Sequence, residues 1–457
     1  MTSHLSPLGS RFFRSFISAV NWNAFFYTLY KICFVSLTFV LYRVLPTDQF
    51  SQWATINSVL FLSLLWLNCG FKKSIPRFAP VFSRDRIFHR NFIIALLAFK
   101  SCLLFVGIPV ITKVINLFIP HFAFLPLVLG VFVTEGLCSL FLLIYHAHFW
   151  QKQFNLIQAF FLLLEILLGF SYIFFFYTPP AALVSFLFLS KLVGNLGVIL
   201  LSLLLLPSLY RNTLIPAGEP FEKEASVRAF MKHSFVMWTI AILQSLSERN
   251  FIFPLITSVQ GATVGNIFKV IHDAAIFFQR IALQTIGIAD TALLSYIEVT
   301  DKRVSQLRLA FASLFKVVFL LCVPLLCTGI FFFFRNHADI PNSSAFLFLV
   351  VALGSTLEII LSPYARVLEV KLRYRDLFFS YLPYVLGYAL LTTLYAASLI
   401  PLITFVSVAQ AIRLGTTLAM VYYAKRDFEV QAPSLFAGLV LSSCGIGLFV
   451  AWLFFSH

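Results

Sequence analysis

Apolar runs of roughly twenty residues recur along the whole chain, which is the length an α-helix needs to cross the hydrocarbon core of a bilayer. The runs are continuously apolar rather than alternating, so helices are expected instead of a β-barrel. Of 457 residues, 60% are hydrophobic, 11% are charged and 56 are phenylalanine. Soluble domains are about 45–50% apolar, and a soluble chain of this length has too little interior to hide the excess. The expected fold class is an all-α polytopic membrane protein. Thirteen spans are predicted, near 20–42, 50–70, 92–114, 122–146, 155–177, 182–206, 236–258, 264–290, 308–334, 345–366, 377–398, 400–423 and 433–455. The first is read as an uncleaved span, because Asn, Tyr and Lys interrupt it and no A-x-A site follows.

The basic residues supply a direction. With the N-terminus inside, 22 of the 33 Lys and Arg fall in inner loops and only Arg43, Lys113 and Arg335 fall outside. That bias predicts a cytoplasmic N-terminus and an outer C-terminus, in the plasma (inner) membrane if the source is bacterial. Most of the net charge of +15 is thus a topology signal with a contribution from anionic lipid, not evidence for nucleic-acid binding. All seven cysteines fall within apolar spans, which argues against a disulfide framework, and no Cys/His spacing suggests a metal.

The longest polar insert, residues 207–233, divides six spans from seven. The layout predicts an N-terminal lobe at 1–206, a cytoplasmic linker at 207–233, a C-terminal lobe at 234–424 and an additional peripheral span at 425–457. Residues 24–60 and 236–283 weakly echo each other: a long span, a short polar outer link and a second span. Repeats of this kind are common in transporters, which bind substrate between the halves.

Ionisable groups lie near mid-depth in most spans, where each is costly unless paired or hydrated. Eight are cations and six are anions. In the eighth span Lys269, Asp273, Arg280 and Gln284 form one helical stripe with His272 beside it. Such a stripe is read as lining a cavity, with local i, i+4 pairing of Lys269 and Asp273 as the structural alternative. Asn23, Tyr27 and Lys31 make a second stripe on the first span. Glu248 and Arg249 lie adjacent inside the seventh, their directions about 100° apart. A cation-rich cavity suits phosphate or diphosphate, which Arg and Lys bind through charge-assisted hydrogen bonds.

Two stretches carry a family resemblance. The first is "YRVLPTDQFSQWATINSVLFLSLLWLNCGFKKSIPRF" at 42–78, through Leu45, Phe50, Trp53, Ala54, Gly70, Arg77 and Phe78. The second is "LSERNFIFPLITSVQGATVGNIFKVIHDAA" at 246–275, through Glu248, Arg249, Gly261, Val264, Gly265 and Phe268. The chain resembles the superfamily of multidrug, oligosaccharidyl-lipid and polysaccharide flippases. Within it, the similarity is to the O-antigen-type lipid-linked oligosaccharide flippases of the polysaccharide-biosynthesis branch. It departs from that branch at Ser51, where Gly is usual, at Asn68, where an acidic residue is frequent, and at Glu248, where Asp is more usual.

The resemblance implies a V-shaped fold of two six-helix lobes plus one extra C-terminal helix, working by alternating access. It implies an anionic polyprenyl-diphosphate glycolipid as substrate, moved from the inner to the outer leaflet. No cofactor is expected; the drive would be a Na+ or H+ gradient or the membrane potential. By the same resemblance Lys31, Arg249, Lys269 and Arg280 would bind the substrate, and Glu248 and Asp273 would couple or gate. Glycosyltransferases or a polymerase of the same pathway would be its partners, beside membrane lipid. The rival readings are a lipid II flippase and a cation-coupled multidrug exporter of the same superfamily. An enzyme is disfavoured, because the outer links are about ten residues or shorter and no catalytic triad, metal-binding carboxylate pair or glycine-rich phosphate loop appears.

Overall fold

The computed structural model describes residues 7–83, 85–119, 122–175, 180–211, 226–245, 249–297 and 373–428, with isolated positions between 347 and 368. The expected spans at 308–334 and 433–455, and most of that at 345–366, lie outside these residues. The described residues form thirteen helices and no strand. Seven of the helices are long and apolar enough to cross a bilayer, and one bent pair brings the total to eight. The chain is an all-helical, multi-pass integral membrane protein.

It divides into two compact units, one drawn from Met1–Pro254 with Gly287–Asp301 and the other from Leu255–Ile286 with Lys302–His457. In the first unit α1 runs Pro7–Val44, and its 38 residues span about 57 Å against a hydrocarbon core of about 30 Å. Next come α2 (Thr47–Trp66) and α3 (Phe71–Phe82), then α4 (Arg86–Phe118), α5 (Leu125–Ala147), α6 (Gln151–Phe175) and α7 (Pro180–Arg211). The unit also holds α8 (Val227–Ser245), which follows the polar insert and packs on α2 and α3.

Between the spans expected near 50–70 and 92–114 lies helix α3, bent 43° from α2. Cys69 and Gly70 both turn left-handed, with φ of 48° and 72°, which ends α2 and redirects the chain. The α3 sequence puts Phe71, Ile75, Phe78 and Phe82 on one buried face and leaves Lys72 exposed, so the helix lies amphipathically on the bundle. Three partners hold the joint. Lys100 of α4 donates to the Leu67 carbonyl at 2.9 Å, and Trp238 of α8 donates to the Trp66 carbonyl. Trp66 in turn donates to Ser245 Oγ at 2.8 Å. Lys100 is wholly buried, so its ammonium serves here as a cap on the negative end of α2.

Helix α5 is the central strut, packed by α3, α4 and α7. Its cross-links to α7 keep a constant offset: Cys138 Sγ reaches the Asn195 carbonyl at 3.5 Å, and Tyr145 OH donates to the Ser202 carbonyl at 2.7 Å. Advancing seven residues on one helix advances seven on the other, so α5 and α7 run parallel. On the far side of α7, Gly194 and Gly197 take the backbone and ring of Phe161 on α6. Small residues at this spacing let membrane helices approach closely.

Helices α9 (Arg249–Gln260), α10 (Ala262–Ala275) and α11 (Phe277–Ile297) follow, α9 and α11 each crossing the boundary between the units. The eighth expected span is thus realised as two shorter helices, α10 and α11. Gly261, at φ 88° and ψ 168°, forms the expected polar link between α9 and α10 by itself. In the second unit α12 (Tyr374–Ala396) and α13 (Leu402–Phe428) form a hairpin. Tyr395 stacks on Phe405 at 4.5 Å, and Ser398, at φ 57°, lies in the short turn between them, "SLIP".

Candidate functional site

On α1 the expected stripe divides. Asn23 is buried and accepts from Asn155 Nδ2 of α6 at 2.8 Å; Asn155 Oδ1 meets His146 Nε2 of α5 at 3.1 Å. Gln151 Nε2 closes the chain by donating to the His146 carbonyl at 3.0 Å. Tyr27 is buried against Phe26 and Ala159. These two residues join α1 to α6. Lys31, two turns beyond Asn23, stays half-exposed, with its ammonium 5.3 Å from the Tyr30 ring and 5.6 Å from the Phe34 ring. Aromatic faces of this kind favour a cation electrostatically.

A charged cluster that the sequence reading only grouped by sign sits on α5, α6 and α7. Lys191 Nζ lies 2.7 Å from Glu135 Oε2 and faces Glu165 of α6 and Tyr30 of α1 electrostatically. The side chains of Lys191 and Glu135 remain 24% and 35% exposed, so the pair is not fully enclosed by protein. One turn after Lys191, Asn195 donates to Thr134 Oγ1 at 3.2 Å. Gly194 presses against Glu165: a Cβ there would stand 4.0 Å from its carboxyl oxygen. One lysine thus serves two carboxylates, while Lys100 is spent on the α2 cap and takes no part.

In the second unit Lys269 Nζ and Asp273 Oδ2 form an ionic contact of 3.5 Å, with side chains only 2% and 3% exposed. His272 packs beside them on the Phe268 ring. Ile276 leaves the helix at ψ 4°, so Arg280 and Gln284 on α11 are not held rigidly in phase with this pair. The side chains of Arg249 and Arg280, and the whole of Glu248, lie outside the described residues. The structure therefore brings Lys269 and Asp273 together and places Lys31 on its own element of the first unit.

His146 and His148, at the end of α5 in "YHAHFW", are buried. His148 ends α5, and its Nδ1 meets the Ile144 carbonyl at 2.8 Å. Burial pushes its imidazole down to about 4, against that hydrogen bond.

No protein-family model matches the chain, and no curated protein matches it significantly. Solved structures do. A multidrug resistance MATE family transporter of the MOP superfamily, in an outward-facing conformation, aligns with a TM-score of 0.57 at 11% identity. That alignment covers 95% of this chain and 96% of the other. The chain has the MATE transporter fold. A mutant of the Vibrio cholerae MATE transporter VcmN aligns at 0.58 and 10% identity, over 94% of this chain and 100% of the other. A further solved chain, described only as protein A, reaches 0.64 at 13% identity, over 93% and 96%. At such identities the likeness to MATE structures concerns fold, and residue roles rest on the chemistry of this chain.

Proposed function

We propose that this chain is a flippase that moves a polyprenyl-diphosphate-linked oligosaccharide between leaflets by alternating access, for polysaccharide biosynthesis. A MATE-type fold over nearly the whole length supports a carrier rather than an enzyme. The observation that carries the substrate class is Lys31: a cation kept half-exposed among aromatic rings in the middle of a span. Such a group favours an anion whose hydration it replaces. In this reading Lys31, Arg249, Lys269 and Arg280 receive diphosphate or acidic sugar. Glu248 and Asp273 bias the two states, and the Lys269–Asp273 contact is the element that substrate would compete for. The test is complementation of a flippase-deficient strain. Lys31→Ala and Arg249→Ala should abolish export while leaving protein level intact, and normal export in both would remove these residues from the site.

A second reading, a cation-coupled exporter, is favoured by one specific feature. The Glu135–Lys191–Glu165 cluster has two carboxylates for one lysine and stays partly open, which suits an incoming cation. Cation-driven efflux from vesicles, with no glycolipid accumulating on deletion, would select it.

A further inference from the structure

At about 100° per residue, Phe26, Tyr30, Phe34, Leu37 and Leu41 of α1 share one face. Phe26, before the middle of this face, is buried, and so are Leu37 and Leu41 after it. Asn23, Tyr27 and Thr38 beside them are buried as well. Between these two packed stretches Tyr30 and Phe34 are only partly buried, as is the neighbouring Lys31. A face packed at both ends and open in its middle lines a recess. This wall of the recess is aromatic. The Tyr30 and Phe34 rings stack at 6.0 Å with their planes 13° apart, and Phe26 continues the column 6.1 Å from Tyr30.

The second observation is the charge beside that wall. Tyr30 packs with Leu162 of α6 on the core of Phe26, Tyr27 and Ala159, and Glu165 follows Leu162 by one turn. Lys191 of α7 has Glu135, Glu165 and Tyr30 as its electrostatic neighbours. Tyr30 is thus common to both lysines, since its ring centroid also lies 5.3 Å from the Lys31 ammonium. Glu135, Glu165 and Lys191 are all partly exposed. Charges at mid-span are costly against lipid, so the opening holds water or a ligand. Asn195 donates to Thr134 Oγ1 at 3.2 Å and its carbonyl meets Cys138 Sγ at 3.5 Å, which fixes α5 against α7 at this level. Two lysines and two carboxylates balance, which selects neither a bare anion nor a bare cation. Aromatic faces beside balanced charge suit a hydroxylated ring. The axial C–H bonds of a pyranose settle on the negative face of an aromatic ring, and its hydroxyls donate to carboxylates. An ionised carboxylate offers about four lone-pair sites, so the Lys191 contact leaves others on Glu135 for hydroxyls and for a cation.

We infer that this recess is the sugar subsite of the carrier, and that the sugar next to the diphosphate is uncharged. The inference rests on the flippase reading, in which Lys31 receives the diphosphate. Tyr30 and Phe34 take the face of the sugar ring, and Glu135 and Glu165 accept from its hydroxyls. With Lys31 on the diphosphate, a uronic acid would set a third carboxylate beside these two, and Lys191 alone would face all three. Like charges brought together in this way reject the wrong ligand. The broader reading admits an acidic sugar; this position excludes one.

The experiment measures binding of a short-chain polyprenyl diphosphate to the purified full-length protein, with the lipid bare or carrying glucose or glucuronic acid. The two sugars differ in one group, a hydroxymethyl against a carboxylate. The wild type should bind the glucosyl lipid about tenfold more tightly than the bare lipid, and the glucuronyl lipid no more tightly than the bare one. Tyr30→Leu/Phe34→Leu should bring the glucosyl-to-bare ratio down to about one. Glu135→Gln/Glu165→Gln should narrow the gap between the glucosyl and glucuronyl lipids. Gel-filtration profiles report folding, and where a variant does not fold the wild-type ratios decide alone. Equal binding of glucosyl and bare lipid, or of glucosyl and glucuronyl lipid, would overturn the inference and leave the diphosphate reading standing. So would an unchanged ratio in the folded aromatic double variant. Failure of all three lipids to bind would overturn the flippase reading and the inference with it.

Discussion

At the residue scale, the membrane cations divide by what they touch. Lys100 is a structural cap: Lys100→Met should leave the Leu67 carbonyl without its donor and cost about 1–3 kcal/mol, read as a lower unfolding midpoint. Lys191 is different, because its pair with Glu135 stays partly exposed. Lys191→Ala should destabilise by about 1–2 kcal/mol, less than the 3–5 of a sealed pair, and the Glu135→Lys/Lys191→Glu swap should recover part of it. A swap no better than the single variant would show that no pairwise term exists. The buried histidines set a pH dependence. His148 and His233 have folded values of about 4 and about 3, below the ordinary 6.5, so their neutral forms are the folded ones. Stability is fully present above about 6.5 and falls as pH drops toward 4. His148→Asn should flatten part of this slope between pH 6.5 and 4; an unchanged slope would remove His148 from it. In the sequence Lys100 and Lys191 look alike, one lysine in one apolar span each. What separates them is a carbonyl 33 residues away in one case and a carboxylate 56 residues away in the other, and no local pattern encodes either.

At the element scale, apolar length locates helices well and breaks poorly. The spans near 92–114, 122–146, 155–177 and 182–206 coincide with α4 to α7, because length and composition alone decide whether a segment can cross lipid. The break at Ile276 leaves no such trace, since it falls among apolar residues with no Gly or Pro. The kink at Cys69–Gly70 is half legible: the glycine is visible, but its packing is not. Two glycines give a test of that distinction. A Cβ on Gly70 would run into the Ser234 carbonyl of α8 as well as adopt a positive φ, whereas Gly261, also at positive φ, has nothing within 4 Å. Gly70→Ala should abolish folded protein in detergent, and Gly261→Ala should cost only about 1–3 kcal/mol of backbone strain. Similar yields and melting points for the two variants would contradict the close α3–α8 approach.

At the scale of the whole molecule, fold and substrate separate. A multi-span helical protein follows from a sequence of apolar runs and short joints, and the likeness to the MATE fold is recovered at 10–11% identity. Substrate does not follow from that, because the same bundle of helices accepts different side chains at mid-depth. The mid-span groups of this chain that bear on substrate are the partly exposed Lys31 and the lysine shared by Glu135 and Glu165. In the proposed reading the first receives an anionic headgroup and the second a cation that drives its movement. The most direct test is flipping in proteoliposomes with a fluorescent short-chain polyprenyl-diphosphate oligosaccharide. Transfer between leaflets should be accelerated by the wild-type protein and abolished by Lys31→Ala. Absence of transfer, together with proton- or sodium-driven efflux of a cationic dye that Lys31→Ala leaves intact, would contradict the account.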